Sequence, residues 1–370
     1  MDLRPYQIDA VQAMAQHRRG ICVAPAGSGK TIIAAALTNA IPHDSPFPPV
    51  VYWLAHTKEQ REQAIEAVAI KTKADAWAEF RYFCYARNPN LARADVVIVD
   101  ECHWGGCDMV QSILRTARPD ARIYGFTATP KREDGIDITA IIGPVLYTVE
   151  RDTLTEAGAV LKGEVRCIRH GIENSLEAEA GALAQKYYTN GMRWHDRQTG
   201  TDDQLKRALY RAVTQLGVKD NPERDAVIVR TACLHSFDSV IVLVDSKKHG
   251  LALAKQIPGA VMLFSGVSGR SAKIKAFQDG EIPCIVATSL ADEGLDVPCA
   301  NVLILAGSGK AFGKIIQRTG RVLRPSEGKT HGIIYDIFDA GHGMLRNQHW
   351  QRRRHYKKAG YEIKWWRHER

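Results

Sequence analysis

The chain has 370 residues, of which 45% are hydrophobic and 25% are charged. These proportions exclude a disordered chain, a collagen-like chain and a small disulfide scaffold, and the length predicts about two domains. The formal net charge of +9 is unevenly distributed, because residues 342–370 hold 9 basic and only 2 acidic side chains. Such a basic end indicates either an anionic partner, nucleic acid rather than membrane, or a segment that aids solubility.

Hydropathy and cysteine spacing restrict the class of protein further. The sequence contains no run of 18 apolar residues, and its start lacks the apolar core of a signal peptide. We therefore expect no membrane segment and a place in the cytoplasm, or in the host cytoplasm for a phage protein. The eight cysteines form no C-x-x-C pair. Cys102, His103 and Cys107 have the only spacing that hints at a metal, and reduced, buried thiols are the favoured interpretation.

Short apolar runs alternate with amphipathic stretches in the first half of the chain. The apolar runs predict strands at Gly20–Ala26, Pro49–Thr57, Arg81–Tyr85, Asp95–Asp100 and Arg122–Thr127. Helices are predicted at Thr31–Ala40, Lys58–Ile70 and Asp108–Ala117. Val96–Val99 is continuously apolar, which indicates a strand covered on both faces and hence a parallel sheet between helices.

A glycine-rich loop joins the first predicted strand to the helix that follows it. Its sequence, Ala24 to Thr31, matches a P-loop except that Ala24 stands where a glycine is usual. Gly27 and Gly29 allow a tight turn that aims backbone N–H groups at phosphate oxygens. Lys30 is expected to reach the β- and γ-phosphates, and Thr31 to offer its hydroxyl to Mg²⁺. The predicted nucleotide-binding residues of the loop are Ala26, Gly27, Ser28, Gly29, Lys30 and Thr31.

Asp100 and Glu101 directly follow the apolar run of the fourth predicted strand. Open α/β sheets bind ligands at the carboxyl ends of their strands. Asp100 is expected to hold Mg²⁺ through water, and Glu101 to orient and deprotonate an attacking water molecule. An isolated Asp-Glu pair is most often part of a solvated loop, but after a P-loop it predicts hydrolysis of a nucleoside triphosphate.

Residues 172–224 form a polar stretch between the two halves. Leu205, Leu209, Val213 and Leu216 share one helical face, which predicts helices here. A linker, a small helical insertion, the opening of the second unit and plain surface helices all remain open.

The second half repeats the α/β pattern. Strands are predicted at Val240–Val244, Ala260–Phe264, Cys284–Thr288, Val302–Leu305 and Gly332–Phe338, and helices at Lys247–Gln256, Ser271–Gln278 and Phe312–Arg321. We therefore expect four segments. They are a first domain at 1–150, a linker and helical segment at 151–224, a second domain at 225–341 and a basic aromatic tail at 342–370.

Asp100-Glu101-Cys102-His103, together with the P-loop, resembles the DEAH/DECH box of superfamily 2 helicases and translocases. The sequence is most similar to the branch that contains the XPB and UvsW helicases and the restriction-enzyme motor subunits, with motifs spread from Arg4 to Arg324. The resemblance implies an α/β fold of two tandem RecA-like domains, each a mostly parallel sheet flanked by helices, with a helical segment between or inserted. It also implies ATP and Mg²⁺ as cofactors.

The resemblance assigns roles to several residues of the first half. Leu3 to Gln7 resembles the adenine-recognition element of the branch, which implies nucleotide contacts for Arg4 and Gln7 and a preference for ATP, since a glutamine amide can satisfy adenine N6 and N7 together. His103, Thr127 and Thr129 correspond to residues that couple nucleotide state to nucleic acid. The implied DNA contacts are His56, Thr57 and Arg132. Cys102 has no assigned role and is expected to be a small filler.

The second half supplies the remaining family motifs. Residues 242–247 resemble motif IV, which implies a nucleic-acid contact for Lys247. Residues 287–296 resemble motif V, which implies a phosphate contact for Thr288 and positions near ATP for Gly294 and Asp296. The third, Gln317 to Arg324, has the Q-x-x-G-R-x-x-R spacing of motif VI, in which Gln317, Arg321 and Arg324 are catalytic. Arg321 and Arg324 are three residues apart and so share one helix face, from which both can stabilise charge on the γ-phosphate.

These features predict an ATP-dependent DNA helicase or translocase that remodels branched or duplex DNA in recombination, repair or replication. We expect a monomer that grips DNA through its backbone with low sequence selectivity. Two alternatives stay open, an RNA helicase and a motor subunit of a larger restriction-type complex. In the tail, Arg353 and Lys357 are expected to contact DNA, while the interleaved tryptophans and tyrosines either stack on bases or pack against the second domain.

Overall fold

The computed structural model describes residues 3–25, 27–42, 46–103, 107–128, 136–161, 163–191, 202–264, 266–288, 297, 299–307, 329 and 331–367. The chain divides into two compact units, Met1–Val160 and Leu161–Arg370. No helix within the described ranges is long and apolar enough to cross a membrane.

The first unit alternates strands with helices. Its strands are β1 (Arg19–Val23), β2 (Val50–Ala55), β3 (Glu79–Cys84), β4 (Val96–Asp100), β5 (Arg122–Thr127) and β6 (Val145–Thr148). Its helices are α1 (Pro5–Ala15), α2 (Lys30–Ala40), α3 (Lys58–Glu66), α4 (Asp108–Leu114), α5 (Thr139–Ile142) and α6 (Arg151–Glu156). Local chemistry sets several helix starts: Pro5 opens α1, and Thr57 caps α3 in a reciprocal arrangement with Gln60.

The six strands of the first unit form one parallel sheet in the order β3-β2-β4-β5-β1-β6. Alternate residues of β4 enter different cores. Ile98 packs in one cluster with Trp53 and Phe126, whereas Val97 and Val99 pack in another on the opposite face. Both faces of the sheet are therefore covered, as the continuous apolar run predicts.

The second unit is built in the same way. Its strands are β7 (Gly163–His170), β8 (Val240–Val244), β9 (Ala260–Leu263), β10 (Cys284–Thr288), β11 (Val302–Leu305), β12 (Gly332–Asp339) and β13 (Glu362–Trp366). Its described helices are α7 (Glu177–Gly191), α8 (Asp202–Thr214), α9 (Pro222–Cys233), α10 (Lys247–Gln256), α11 (Arg270–Gln278) and α12 (Gly343–Lys358). All neighbouring strands are parallel, in the order β13-β7-β12-β11-β8-β10-β9.

Many predicted elements have the expected bounds. The strands at 122–127, 240–244, 284–288 and 302–305 and the helix at 247–256 match residue for residue. The predicted helix Phe312–Arg321 lies outside the described residues. Sequence patterning missed α1, β7 and β13, because these elements carry charged or polar side chains and lack a continuous apolar run. It also missed the short strand β6, although its sequence is largely apolar, and the short helices α5 and α6.

The structure differs from the expected domain boundaries at three places. The first unit runs to Val160 instead of ending at 150, and Leu154, Ala159 and Val160 lie in its core. The rest of the segment expected as a linker at 151–224 belongs to the second unit and contains β7, which lies between β12 and β13 in the second sheet. The segment expected as a tail at 342–370 folds as α12 and β13, and its Tyr356 and Tyr361 are buried in the core of the second unit. The prediction of a separate tail is therefore wrong, because its aromatic side chains supply part of that core.

Within the polar stretch at 172–224, the described residues form α7, α8 and the start of α9, as the helical spacing predicts. Val213 is buried in a small cluster with Ala180, Val218 and Leu345, and Leu209 and Leu216 pack against this cluster. Leu205, by contrast, is 41% exposed. The predicted face thus joins α7 and α8 to the first turns of α12 within the second unit.

Candidate functional site

The glycine-rich loop follows β1 and ends where α2 begins at Lys30. Gly27 has φ of 88° and Gly29 has φ of 75°, so both adopt the left-handed conformation that glycine tolerates best. The Nζ of Lys30 donates to the carbonyl oxygen of Ala24 at 3.2 Å, which folds this side chain back across the loop. This is the backbone geometry that the P-loop sequence predicts, with backbone N–H groups and the start of α2 at one place.

Two side chains at the start of α1 brace this loop. The hydroxyl of Tyr6 donates to the carbonyl oxygen of Ser28 at 2.9 Å, and the Nε2 of Gln7 donates to the same oxygen at 3.2 Å. The Oε1 of Gln7 accepts from the backbone N–H of Arg4 at 3.0 Å. Gln7 is only 5% exposed, so its amide is part of the loop's support as well as the predicted contact for adenine.

Asp100 and Glu101 lie at the carboxyl end of β4. Asp100 is buried, and its Oδ1 accepts from the backbone N–H of Glu101 at 2.9 Å. Glu101 has φ of 46°, a conformation that is uncommon for a residue with a side chain and that functional sites use more often than other parts of a fold. This backbone turn directs the two consecutive carboxylates differently.

The environment separates the protonation behaviour of the two carboxylates. Burial, together with the neighbouring charge of Glu101, raises the pKa of Asp100 above its usual range. Burial also acts to raise the pKa of Glu101, but the Lys30 ammonium and His103 outweigh it, so the net pKa of Glu101 is lowered. Lys30 acts on both groups, which places the loop lysine and the acidic pair in one electrostatic environment.

The ends of β4 and β5 are joined by side chains. The Nδ1 of His103 lies 3.1 Å from the Oγ1 of Thr127 and 3.5 Å from the Oε2 of Glu101. Thr127 is fully buried at the end of β5. Three predicted site residues are therefore within one chain of contacts, from the acidic pair to the next strand.

Cys102 fills space, as expected. It is fully buried, and a Cβ at Gly125 would lie 2.8 Å from its Sγ. Sequence reasoning missed Tyr85, whose buried hydroxyl donates to the carbonyl oxygen of Asp100 and whose ring lies 6.2 Å from that of His56. No motif marks Tyr85, because it reaches the site only through the pairing of the sheet.

The donor set at this edge fits a nucleotide with Mg²⁺. Hard oxygen ligands suit that ion, and Asp100 supplies a carboxylate while Thr31, in the first turn of α2, supplies a hydroxyl. The buried Oε2 of Glu101 lies 3.5 Å from the Nδ1 of His103 and makes no shorter hydrogen bond among the described residues, so it can still accept from a bound water molecule. The residues present therefore suit a magnesium-bound triphosphate and its attacking water.

The described residues that are predicted to contact nucleic acid differ in their exposure and in the contacts they make. Thr57 accepts from the backbone N–H of Gln60 at 3.2 Å and so caps α3, while the neighbouring His56 is exposed. Lys247 is exposed at the start of α10, with its Nζ 3.8 Å from the ring centre of Phe264. Thr288 is buried at the carboxyl end of β10.

The basic residues of α12 have different roles. Arg352 is buried and forms a bidentate ion pair with Asp336, at 2.9 Å from Nε to Oδ2 and 2.7 Å from Nη2 to Oδ1. The guanidinium of Arg353 lies over the rings of two tryptophans, while Lys357 is exposed. One residue of the Arg352–Arg354 run is thus structural, a distinction that the sequence does not show.

Several predicted site residues lie outside the described residues. They are Ala26, Thr129, Arg132, Gly294, Asp296, Gln317, Arg321 and Arg324.

Comparison with known families matches each half of the chain to a different domain. Residues 2–126 match the AAA domain, and residues 224–326 match the helicase conserved C-terminal domain. The first match covers the phosphate loop and the acidic pair. The second covers β8 to β11 of the second sheet and the stretch with the Q-x-x-G-R-x-x-R spacing.

Several relatives are similar along most of the chain, and two of them illustrate the match. A protein of Sulfolobus islandicus filamentous virus, described as a presumed helicase, is 26% identical over 91% of this chain and 64% of its own length. The DNA 3'-5' translocase XPB2 of Sulfurisphaera tokodaii is 23% identical over 92% of this chain and 82% of its own length. The chain thus spans a little under two thirds of the viral relative.

Among solved structures, the helicase domain of Pyrococcus furiosus Hef has a TM-score of 0.58 at 16% identity. The match covers 95% of this chain and 98% of that domain. At this identity the likeness speaks for the fold alone, and it confirms the predicted pair of RecA-like α/β domains.

Proposed function

We propose that the chain is an ATP-dependent DNA helicase or translocase of superfamily 2, in the branch that includes the XPB and UvsW helicases. The observation that carries this proposal is the edge of the first sheet where Lys30, Asp100, Glu101, His103 and Thr127 lie in one electrostatic environment and one chain of contacts. The match of residues 224–326 to a helicase C-terminal domain and the names of the two relatives support the choice of helicase over other nucleotide hydrolases.

Different residues of the first unit have different roles in ATP hydrolysis. The loop N–H groups and Lys30 bind the phosphates, and Thr31 and Asp100 hold Mg²⁺, which neutralises charge on the phosphates when bound. Glu101 orients the attacking water molecule and accepts its proton. Its lowered pKa keeps the carboxylate ionised and so able to accept a hydrogen bond from that water, although it does not make Glu101 a stronger base. Gln7 and Arg4 position the adenine end of the nucleotide.

The second half of the chain completes the proposed mechanism. Gln317, Arg321 and Arg324 act on the γ-phosphate, where the arginines stabilise charge that develops in the transition state. We assign Gly294 and Asp296 to ATP binding, and Thr129 acts with His103 and Thr127 to pass nucleotide state to the DNA contacts. His56, Thr57, Arg132, Lys247 and Thr288 contact the DNA backbone, which gives low sequence selectivity.

The substrate that we propose is branched or duplex DNA, handled by a monomer during recombination, repair or replication. DNA is favoured over RNA because the relative that matches 92% of this chain is named as a DNA translocase. A motor subunit inside a larger complex is the competing arrangement, and sedimentation of the active enzyme distinguishes it from a monomer.

The decisive experiment measures ATPase rate with Mg²⁺ against single-stranded, blunt, forked and four-way DNA and against matched RNA. We expect stimulation by DNA, strongest with branched forms, and ATP-driven remodelling of at least one of them. Lys30→Ala and Glu101→Gln are each expected to reduce turnover by about 100-fold or more, because each removes a charged group that acts in the transition state. Lys255→Ala, which changes an exposed lysine of α10, serves as the matched control.

Three outcomes contradict the proposal. Hydrolysis that survives Lys30→Ala rejects the phosphate-loop assignment. Stimulation by RNA alone favours an RNA helicase. An ATPase that no nucleic acid stimulates rejects the helicase assignment altogether.

A further inference from the structure

We propose that Trp350, Arg353, Arg354, Lys357 and Trp365 form a stacking surface for unpaired nucleotides of the DNA substrate. We call these five residues the aromatic–basic surface. The inference extends the proposed function, on which the choice of DNA rests, by adding a site for exposed bases that lies outside the ATP-hydrolysing machinery.

The two tryptophans come from different elements and meet at one place. Trp350 lies on α12 and Trp365 on β13, and their ring centres are 6.4 Å apart with planes at 77°. Trp350 is 43% exposed and Trp365 is 49% exposed. Nearly half of each residue therefore faces solvent, and two such indoles side by side form an apolar patch that a partner can cover.

A buried layer holds the two indoles in position. The ring of Phe338 packs edge-on beneath both, with centre distances of 5.7 Å to Trp350 and 5.6 Å to Trp365. The fully buried ring of His349 lies 5.5 Å from Trp350 and 5.9 Å from Trp365. The exposed ring surfaces are thus preorganised, so that little side-chain entropy is lost when a flat partner binds.

Basic side chains lie beside the two rings and on the same helix face as Trp350. The guanidinium of half-buried Arg353, whose Nη1 is buried, lies 5.5 Å from the ring centre of Trp350 and 5.4 Å from that of Trp365. Trp350, Arg353, Arg354 and Lys357 stand at the i, i+3, i+4 and i+7 positions that share one helix face. Arg354 and Lys357 are exposed, and α12 contains no acidic residue.

This combination fits a flexible anion with flat apolar groups. Base-paired DNA hides the faces of its bases between neighbours, whereas an unpaired strand can place a base on an indole and its phosphates against basic side chains. A lipid surface offers no flat ring, and an acidic protein segment needs the charges but not the tryptophans. The surface therefore favours an unpaired strand over duplex DNA.

The test uses the full chain without ATP and measures binding by fluorescence anisotropy. The probes are an oligo-dT and a blunt duplex of equal length, each labelled and on the order of 20 nucleotides, which exceeds the span of a single stacking site. Trp350→Ala/Trp365→Ala is expected to weaken oligo-dT binding by about 10-fold or more and duplex binding by less than about 2-fold, because base stacking on an aromatic ring is worth roughly this much per base. Trp77→Ala, which removes a tryptophan that is 71% exposed in the first unit, is the matched control.

Two further variants separate stacking from folding and from charge. Trp350→Phe/Trp365→Phe keeps a flat ring on the same buried layer and is expected to retain most of the oligo-dT binding. Arg354→Ala/Lys357→Ala is expected to lower the slope of log Kd against log salt for oligo-dT by about 1.4, roughly 0.7 for each single-strand phosphate that is no longer neutralised. Lys255→Ala is expected to leave that slope unchanged.

Equal loss of oligo-dT and duplex binding in the alanine pair, or oligo-dT binding within about 2-fold of the parent, overturns the stacking surface. If the alanine pair is too unstable to assay, loss of oligo-dT binding in the phenylalanine pair also overturns it, since that pair keeps the rings. The proposed function fails separately, because it requires DNA-stimulated ATPase, whereas these measurements contain no ATP. Oligo-dT binding that depends on the tryptophans in a chain without DNA-stimulated ATPase retains the surface and rejects the helicase.

Discussion

The Nδ1 of His103 lies 3.1 Å from the Oγ1 of Thr127, and this contact joins the ends of two neighbouring strands, β4 and β5. The same nitrogen is 3.5 Å from the Oε2 of Glu101. A change at the acidic pair can therefore reach the end of β5 through one imidazole, without movement of the buried strands.

Thr127→Val is expected to remove this link while keeping the shape of the buried side chain. We expect the stimulation of ATPase by DNA to fall about 10-fold. The contact couples the ATP site to bound DNA, so its loss changes the rate only when ATP and DNA are both bound. Thr127→Ser keeps the hydroxyl and is expected to keep most of the stimulation. The measurement is the ratio of ATPase rates with and without forked DNA, and an unchanged ratio in Thr127→Val contradicts the role of the contact.

The packing of Gln7 on the phosphate loop predicts that Gln7→Ala partly restores the stability that Gly29→Ala removes. A Cβ at Gly29 would lie 2.6 Å from the Nε2 of Gln7, and Gly29 also has φ of 75°. Gly29→Ala is expected to destabilise the first unit through both the clash and the backbone strain, the latter costing about 1–2 kcal/mol. Adding Gln7→Ala removes the clash but not the strain.

Denaturant unfolding of the two single variants and the double variant measures this coupling. We expect the double variant to be more stable than the sum of the single effects, because the two side chains share one contact. ATP binding is expected to stay weak in the double variant, since the loop still cannot adopt its left-handed turn without strain. Strictly additive effects show that Gln7 does not limit the space at Gly29.

Asp336 predicts loss of stability in acid. Burial alone raises the pKa of this carboxyl, but the Arg352 guanidinium and His349 outweigh burial and hold the pKa well below its usual range. A carboxyl with a lowered pKa in the folded state stabilises the fold above its unfolded value of about 4, and this contribution is lost as pH falls toward the folded pKa.

We therefore expect the free energy of unfolding to decrease below about pH 4, with Asp336 contributing a slope of up to about 1.4 kcal/mol per pH unit. Urea unfolding from about pH 3 to about pH 7, a range that spans the unfolded pKa, measures it. Asp336→Asn is expected to be less stable near neutral pH, because it leaves Arg352 buried without its counter-charge, and to show a shallower slope in acid. An identical slope in the variant contradicts the assignment.

Removal of residues 342–370 is expected to unfold the second unit. The deletion removes β13, an edge strand that pairs with β7, and takes the buried rings of Tyr356 and Tyr361 out of the core. Loss of one buried aromatic side chain typically costs about 3–5 kcal/mol. Limited proteolysis and thermal unfolding report the outcome.

Removal of residues 368–370 alone is the control for that deletion, and it is expected to leave the melting temperature unchanged. If the chain without residues 342–370 keeps a cooperative unfolding transition of the second unit and loses only DNA affinity, these residues are a separate tail after all.

Sequence patterning alone predicts much of the fold and most of the described site. The continuous apolar run before Asp100 predicts a strand covered on both faces, because only such a strand tolerates apolar side chains at every position. The glycines at 27 and 29 predict the phosphate loop, because glycine adopts left-handed turns without the steric cost that other residues meet. These features are local, so a short window of sequence contains the whole physical reason.

Tertiary structure alone decided the roles that depend on contacts between distant residues. Arg352 and Arg353 are adjacent and alike in sequence, yet one neutralises buried Asp336 and the other, which is half-buried, lies over two partly exposed indoles. Tyr85 reaches Asp100 only because β3 and β4 flank β2 in the first sheet. The net charge of the last residues is visible in the composition. Which of these charges are buried and paired is not, because that is decided only when β13 joins the second sheet and α12 packs against it.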